Sequence, residues 1–587
     1  MALLPPGLAY VAPGALKACA TCGIVYALQR FQSVVPLPRW AAFLALPAYL
    51  LLRPWFDWLL EERERRKLGG ARIPVTQGSL PGNFDLLRQI MRIRENGYFG
   101  EFVPHLVNEY GNTYNLKVIG VNQVFTAQPD NVKAILATDF PSFEKGSRMD
   151  HATAAVLGSG VFNADGEMWK FHRQISRPFF HRERISDFDI FARHADSAIA
   201  AMLARAREGV PVDLQDLTGR FTLDSATEFL FGACVHALAS PLPRPGEIMA
   251  DGSRRVAPGA VLSRADEFVR AFNQAQVVIS NRLWVGPIWP LYEFWQDKTK
   301  EPMKVIDAFI DPILAQALSK KKERVALGEL AADDKEEAAT LLDHLVMHTD
   351  DAKVIKDEIM NISVAGRDTT SATLTFASYF LAMHPNVMAR LRQEVLNKFG
   401  RDRLPTYDDL RDMKYLRAFI NETLRLMPPV PFNVRQAVKG VLLPSKNQEG
   451  KHHYMPKGTS ISWSTWYMHR RTDFWGPDAE QFDPDRFLDE RVRKYVTPNP
   501  FIFLPFNAGP RICLGQQFAY NEVSFFLVRM LQRVRALELA PEAQIESTRV
   551  PEEWAGSPGR KGVERMRPAS HLTLYSKGGL WFKIVEA

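Results

Sequence analysis

Cysteine is scarce. The chain has 587 residues and four cysteines, Cys19, Cys22, Cys234 and Cys513. That number excludes a disulfide framework and fits a reducing compartment. Cys19 and Cys22 form a C-x-x-C pair with no second pair for zinc and no βαβ context for redox chemistry. They read as packing within an apolar segment. Blocks of like charge are missing, and basic residues are not interleaved with aromatics. With a formal net charge of only +7, an acidic partner or an anionic membrane surface fits better than nucleic acid, which is not an expected partner. No internal repeat appears. Apolar residues make up 46% and charged residues 24%, as in ordinary globular proteins, and the length suffices for one large core.

Long hydrophobic runs occur only near the N-terminus. Leu8–Leu28 and Trp40–Leu60 each approach the ~20 residues that span a bilayer as helix. Trp40–Leu60 reads as the stronger span. Trp40, Tyr49, Trp55 and Trp58 supply interfacial aromatics, and Arg53 and Asp57 stand i, i+4. Pro13, Gly14 and Lys17 make the first run a re-entrant or interfacial alternative. The Lys/Arg-rich stretch Glu61–Lys67 places the downstream chain on the cytosolic side. The length of the second run and the lack of an A-x-A-like exit argue against cleavage. Residues 1–68 are expected to be a membrane anchor and 69–587 the catalytic domain, joined by turns at Gly69, Gly70, Pro74, Pro81 and Gly82.

In the main domain, Thr113–Val118 and Gln123–Thr126 carry strand patterns. Pro129-Asp130 suits a helix start. Most of 150–430 has helical periodicity. Ala239–Ala260 and Lys320–Glu337 are expected to be loops. His571–Tyr575 and Leu580–Val585 are expected to pair as a hairpin across Ser576–Gly579. The fold class is mainly α with small β-sheets.

The most specific stretch is Phe506-Asn507-Ala508-Gly509-Pro510-Arg511-Ile512-Cys513-Leu514-Gly515. One cysteine sits in a glycine-flanked loop, with an arginine two residues before it. The chemistry that suits this pattern is a thiolate ligand to haem iron, whose anionic sulfur favours O–O cleavage. Gly509 and Gly515 are expected to permit close backbone approach. Backbone N–H groups tune the sulfur, Phe506 shields it, and Arg511 is placed to pair with a haem propionate.

Upstream, Lys353–Met383 predicts a long helix ended by His384-Pro385. Its centre, Ala365-Gly366-Arg367-Asp368-Thr369-Thr370, is poor helix sequence. Thr369 bonding back to the Ala365 carbonyl can bend the helix and leave room for dioxygen and water. Thr369 would then hydrogen-bond the activated oxygen while Asp368 relays protons. Further on, Leu416, Phe419, Ile420, Thr423 and Leu424 form one apolar helix face. Glu422 and Arg425 share a surface at i, i+3, and Arg486 follows in Phe482–Phe487. The expected arrangement is a buried carboxylate between two bidentate arginines.

These motifs together resemble the cytochrome P-450 monooxygenases, from about residue 110 to the C-terminus. The resemblance implies the cytochrome P-450 fold and haem b with Cys513 as axial ligand. Asp368-Thr369 would be the acid–alcohol pair, and Glu422, Arg425 and Arg486 a structural triad. Trp169-Lys170-Phe171-His172-Arg173 matches the family's Trp-x-x-x-Arg element, so Trp169 and Arg173 are propionate candidates, with Arg435 a further one. His172 is expected on the surface. Some animal fatty-acid hydroxylases of the superfamily esterify haem through a glutamate before the glycine of the oxygen-activating motif. Ala365 stands there, so no covalent link is expected.

Ala134–Phe140, Phe143–Gly146, Trp169–Phe180, Pro428–Arg435 and Gly509–Ala519 look like the fungal membrane-bound branch that hydroxylates n-alkanes and fatty acids. By analogy with family positions, Phe162, Val364, Val430, Pro431, Phe432 and Val434 are pocket candidates. Polycyclic aromatics, other xenobiotics and secondary metabolites are alternative substrates. About seventy residues follow Cys513, too few for a fused reductase. The resemblance therefore implies an NADPH-dependent flavoprotein reductase carrying FAD and FMN, and admits cytochrome b5 as a second donor. It also implies an endoplasmic reticulum membrane location, with a hydrophobic substrate arriving from the lipid bilayer. The rival readings are a haem isomerase or dehydratase and a haem-binding sensor or carrier. Neither has a need for Asp368-Thr369.

Overall fold

The structure is a computed structural model that describes residues 4–30, 41–118, 120–186, 188–256, 261–327 and 340–587. Its centre is the helix Ala352–Met383. The Asp351 carboxylate caps it, accepting from Lys353 N at 2.9 Å and Val354 N at 3.2 Å. The backbone is helical throughout, and 32 residues reach about 48 Å. Most of its side chains after Ile355 are buried on all sides, the pattern of a helix running through a core rather than over it. Leu214–Phe231, Lys414–Leu426 and Gln516–Arg533 pack around it. The shared core includes Phe221, Phe376, Phe380, Phe419 and Phe526.

A five-stranded sheet lies at one edge, ordered Thr113–Asn115, Gln123–Thr126, Ser460–Ser464, Phe432–Ala437 and Phe143–Glu144. Only the Gln123–Thr126 and Ser460–Ser464 pair is parallel. Both early strands and the helix start at Pro129 agree with the sequence patterns.

The late hairpin does not form. Leu574–Ser576 pairs with Pro568–Ser570, whereas Trp581–Glu586 pairs with Val212–Asp213 and Val534–Leu539. The intervening turn has two consecutive left-handed glycines, Gly578 (φ 74) and Gly579 (φ 80). The second turns the chain away from its neighbour in sequence. Leu580 is then claimed by Asp213, whose Oδ1 accepts Leu580 N at 2.8 Å. The charged stretch from Lys320 is not a loop at its start: the helix Lys300–Ala326 runs into it, and 328–339 lie outside the described residues. Most of 240–256 is irregular, as expected.

At the N-terminus, Pro6–Arg30 and Ala41–Leu68 are helices. Among the described residues, the helical stretch long and apolar enough to cross a membrane is Pro6–Ile24. Pro13 is accommodated inside the first helix, which is anchored by Gly7 N donating to Phe294 O at 3.0 Å. The second run carries Arg53 and Asp57, 3.9 Å apart and both exposed, and their charges lower its apolarity; Trp40 lies outside the described residues.

Candidate active site

The Cys513 loop is closed by Cys513 N donating to Phe506 O at 3.0 Å and Ile512 N to Gly509 O at 3.0 Å. Asn507 takes the left-handed conformation (φ 59), which asparagine tolerates. Gly509 is also left-handed (φ 69), and a Cβ there would lie 1.8 Å from Leu136 O. Gly509→Ala is therefore expected to displace the loop and cost several kcal/mol, read as a lower denaturation midpoint and lost haem. The close approach expected at Gly515 is not found. A Cβ there would meet Phe180 at 3.6 Å, an ordinary contact.

Two adjoining cavities, about 590 and 230 Å³, share Trp169, Arg173, Phe180, Ile512, Cys513 and Leu514. The smaller one brings Cys513 to the same chamber as Thr369, Gly366 and Ala365 of the long helix. Phe506, Arg435, Arg511 and Gly515 line it too. Thr369 Oγ1 donates to Ala365 O at 2.7 Å, the predicted back-bond, although the helix remains continuous there. Asp368 does not line the chamber. It turns to Arg367 Nη1 at 3.0 Å and to Gln276. Burial, opposed by Arg367, raises its pKa.

The chamber is rich in cations. Arg511 stacks over Trp169 at 4.5 Å and bonds Asp165 Oδ1 at 2.6 Å, leaving its Nε and Nη1 without a partner. Arg435 is 2% exposed and donates to its own neighbour's carbonyl, Val434 O, at 2.7 Å. Burial, with Arg511 nearby, pulls it down to about 9. Burial also pulls Lys145 well below the usual lysine range, with Arg435 and Arg511 adding to the effect. Arg173 donates to Ile512 O at 3.0 Å. Asp165 and Glu144 are the acids that oppose this set. Four basic groups face an apolar chamber, Arg511 with idle donors and Lys145, Arg173 and Arg435 without an ion pair among the described residues, and they suit a flat apolar ligand carrying two carboxylates. Haem with its propionates fits that description. Lys145 had no assigned role in the sequence; only the fold brings it there.

Burial pushes the Cys513 thiol up to about 11, against the Gly515 N–H and Arg173. The Cys513 side chain is open to the cavity. Haem-free protein is therefore expected to react with iodoacetamide at Cys513 about tenfold faster per pH unit up to about 11, not levelling near the ordinary thiol value. The shift also lowers the stability of the haem-free fold as pH rises from the ordinary thiol value to about 11, because the unfolded chain releases the proton first.

Trp169 and Arg173 sit one turn apart on the helix Gly166–Ser176 and both reach the chamber. His172 is not on the surface. It is fully buried, with Nδ1 2.8 Å from Glu358 Oε2. Glu358 also accepts Ser176 Oγ at 2.6 Å and Val161 N at 2.9 Å. This carboxylate, three turns before Thr369 on the same helix, fastens the haem-edge helix in place. The signal for it was an acid within the apolar run Ile355, Ile359, Ile362.

Of the pocket candidates, Phe162 and Val430 line the chamber. Val364, Pro431, Phe432 and Val434 do not. Val364 is buried against Phe268, Phe272 and Val156. Pro431 supplies a carbonyl to Ser464 Oγ at 3.1 Å. Phe432 and Val434 sit on the strand parity opposite Asn433 and Arg435, which face the chamber, because successive strand residues point to opposite faces.

Behind the chamber, Glu422 and Arg425 are fully buried and form a two-pronged pair, both contacts at 2.7 Å. Arg486 meets Glu422 through a single 3.5 Å contact and directs its other nitrogens to Asp478 at 2.9 and 3.2 Å. The expected second bidentate contact to Glu422 is therefore made to Asp478. His469 Nδ1 donates to Arg425 O at 3.1 Å and its Nε2 accepts Leu504 N at 2.9 Å. Burial drives this histidine down to about 3, so it is neutral and ties the network to the segment leading into the Cys513 loop.

The Cytochrome P450 family model matches residues 79–552. The chain belongs to the cytochrome P450 family. Its relatives include Cytochrome P450 52E1 of Candida apicola, 36% identical over 72% of this chain and 77% of the relative. Cytochrome P450 52A3-A of Candida maltosa is 36% identical over 78% and 84%, and Cytochrome P450 52A6 of Candida tropicalis 33% identical over 87% and 95%. This P450 is thus an oxidoreductase of the haem-thiolate monooxygenase type, supplied with electrons from NADPH through a reductase.

Proposed function

We propose that this P450 hydroxylates long-chain alkanes or fatty acids at or near the chain terminus, with Cys513 as the haem ligand. The observation that carries the reading is the common chamber of Cys513 and Thr369, walled by Phe162, Ile362, Ala365 and Val430. When bound, haem supplies dioxygen activation and oxygen insertion into a C–H bond. Lys145, Arg435, Arg511, Trp169 and Arg173 would hold its carboxylates, and Phe506 would shield the Cys513 sulfur. The apolar walls align an unfunctionalised chain and exclude bulk water. Thr369 spends its proton on Ala365 O, so its oxygen presents lone pairs to water in the chamber. Asp368 supplies protons to that water after turning from Arg367, or through a bridging water.

An apolar N-terminal helix and an apolar substrate suit residues 1–68 as an anchor in the endoplasmic reticulum, with 69–587 facing the cytosol. Electrons then come from a membrane-bound FAD/FMN reductase, with cytochrome b5 as a second donor. Thr369→Ala tests the assignment. NADPH consumption should continue while hydroxylated product per NADPH falls about tenfold or more, in line with loss of a positioned proton-transfer group. Unchanged coupling would remove Thr369 from the relay.

A further inference from the structure

Cys234 has no part in the haem site, and its neighbours are metal-ligating side chains from two packed helices. Asp224 and Glu228 stand i, i+4 on the helix Leu214–Phe231. Gly232 (φ 67) ends that helix, and the chain turns back so that the Cys234 thiol bonds the Asp224 carboxylate. His194 comes from the neighbouring helix Asp189–Arg207. One ligand atom each from His194, Asp224 and Cys234 lie within 4.8 Å of one another. A tetrahedral zinc with bonds of about 2.0–2.3 Å spaces its ligand atoms about 3.3–3.6 Å apart, so small side-chain rotations close the set.

Each of the three is held from behind. Asp224 is 1% exposed. Its two oxygens accept Ala237 N at 2.7 Å and Leu238 N at 2.9 Å, and among the described residues it forms no salt bridge. Arg220, one turn earlier, is engaged by Asp216 at 2.6 Å and by the Ala237 carbonyl at 2.8 Å. Buried charges are paired or coordinate metals, and this carboxylate lacks a cation of its own. His194 Nε2 lies 2.6 Å from Glu228 Oε2, the carboxylate–histidine contact that orients a ligating ring. Arg193 pairs with the other Glu228 oxygen, not with Asp224. Cys234 Sγ accepts His236 N at 3.2 Å, a bond that favours the thiolate.

We propose that His194, Asp224 and Cys234 form a zinc site, with Glu228 as the positioning residue that holds the His194 ring. Thiolate and imidazole together select a borderline-soft dication over magnesium or calcium, which prefer oxygen. Thiolate and carboxylate balance its two positive charges, and imidazole binds neutral. As the metal–sulfur bond forms, the Cys234 proton leaves to water. A water takes the fourth position, because His194 and Cys234 are only partly buried. The metal fastens the helix Asp189–Arg207 to the helix that lines the haem chamber with Ala226, Phe229 and Leu230. None of the three ligands lines that chamber, so the site stands whichever substrate the enzyme oxidises.

Full-length, haem-loaded protein is dialysed against a chelator and then against labelled zinc with excess magnesium. Wild type should retain zinc in a one-to-one ratio, and X-ray absorption at the zinc edge should show a single sulfur at about 2.3 Å. Cys234→Ser and His194→Gln should each weaken zinc binding about a hundredfold or more, and the sulfur signal should vanish in Cys234→Ser. Glu228→Gln should weaken binding about tenfold, the scale of a lost orienting carboxylate, and keep the sulfur signal. Replacing Cys19 and Cys22, both on the helix Pro6–Arg30, by serine should change neither reading. Haem per protein, measured alongside, should match wild type in every variant, which separates ligand loss from misfolding. Wild type that retains no zinc, zinc displaced by magnesium, zinc bound without sulfur, or a sulfur signal that follows Cys19 and Cys22 instead of Cys234 would overturn the site. The wild-type sulfur signal decides the matter even where a variant fails to fold.

Discussion

Cys513→Ser is expected to reduce turnover by at least about a thousandfold, some 4 kcal/mol of barrier, and to remove the carbon-monoxide spectrum of thiolate-ligated haem. A serine hydroxyl fits the loop, since Cys513 N and Ile512 N keep their bonds to Phe506 O and Gly509 O. It carries no anionic sulfur, and electron donation from that sulfur favours O–O cleavage. The cationic ring of Lys145, Arg173, Arg435 and Arg511 is untouched, so haem should still be retained in the variant. Pigment without the thiolate band is the diagnostic combination. Normal activity in Cys513→Ser would remove the cysteine from the chemistry.

The second large effect is structural. Arg425→Ala leaves Glu422 fully buried with its two-pronged partner gone, and also unpairs His469 O at 2.8 Å and Gln481 O at 3.0 Å. Breaking a buried pair on one side costs about 3–5 kcal/mol, a large part of the about 5–15 kcal/mol that holds a folded protein together. The variant should accumulate poorly and carry little haem, measured as haem per protein and as denaturant midpoint. Arg486→Ala should cost less at Glu422, because Arg486 reaches that carboxylate only at 3.5 Å. Equal midpoints for Arg425→Ala and wild type would show that the network does not hold the thiolate loop.

Local chemistry was legible where one residue type answers one local demand. The long helix begins at Ala352, one residue before the predicted Lys353, and ends at Met383, because Asp351 caps it and His384-Pro385 stops it. Thr369 back-bonds as its spacing implied. Long-range pairing was not legible. Nothing in His571–Val585 announces that Leu580 will be taken by Asp213, far away in sequence. Strand parity was also hidden: Asn433 and Arg435 face the chamber whereas Phe432 and Val434 face away, and only the register Val434↔Ser462 fixes which set points inward. His172 looked like a surface residue because its partner, Glu358, is remote in the chain. Lys145 followed a two-residue strand too short to carry a pattern.

The most direct test is product mapping. The full-length protein, reconstituted in lipid with a flavoprotein reductase and NADPH, is given a pool of alkanes and fatty acids, and product positions are read by mass spectrometry. NADPH-dependent hydroxylation at or near the chain terminus is the expected result. Haem-loaded protein with an intact thiolate spectrum that leaves every chain unoxidised, while oxidising polycyclic aromatics, would contradict the assigned substrate.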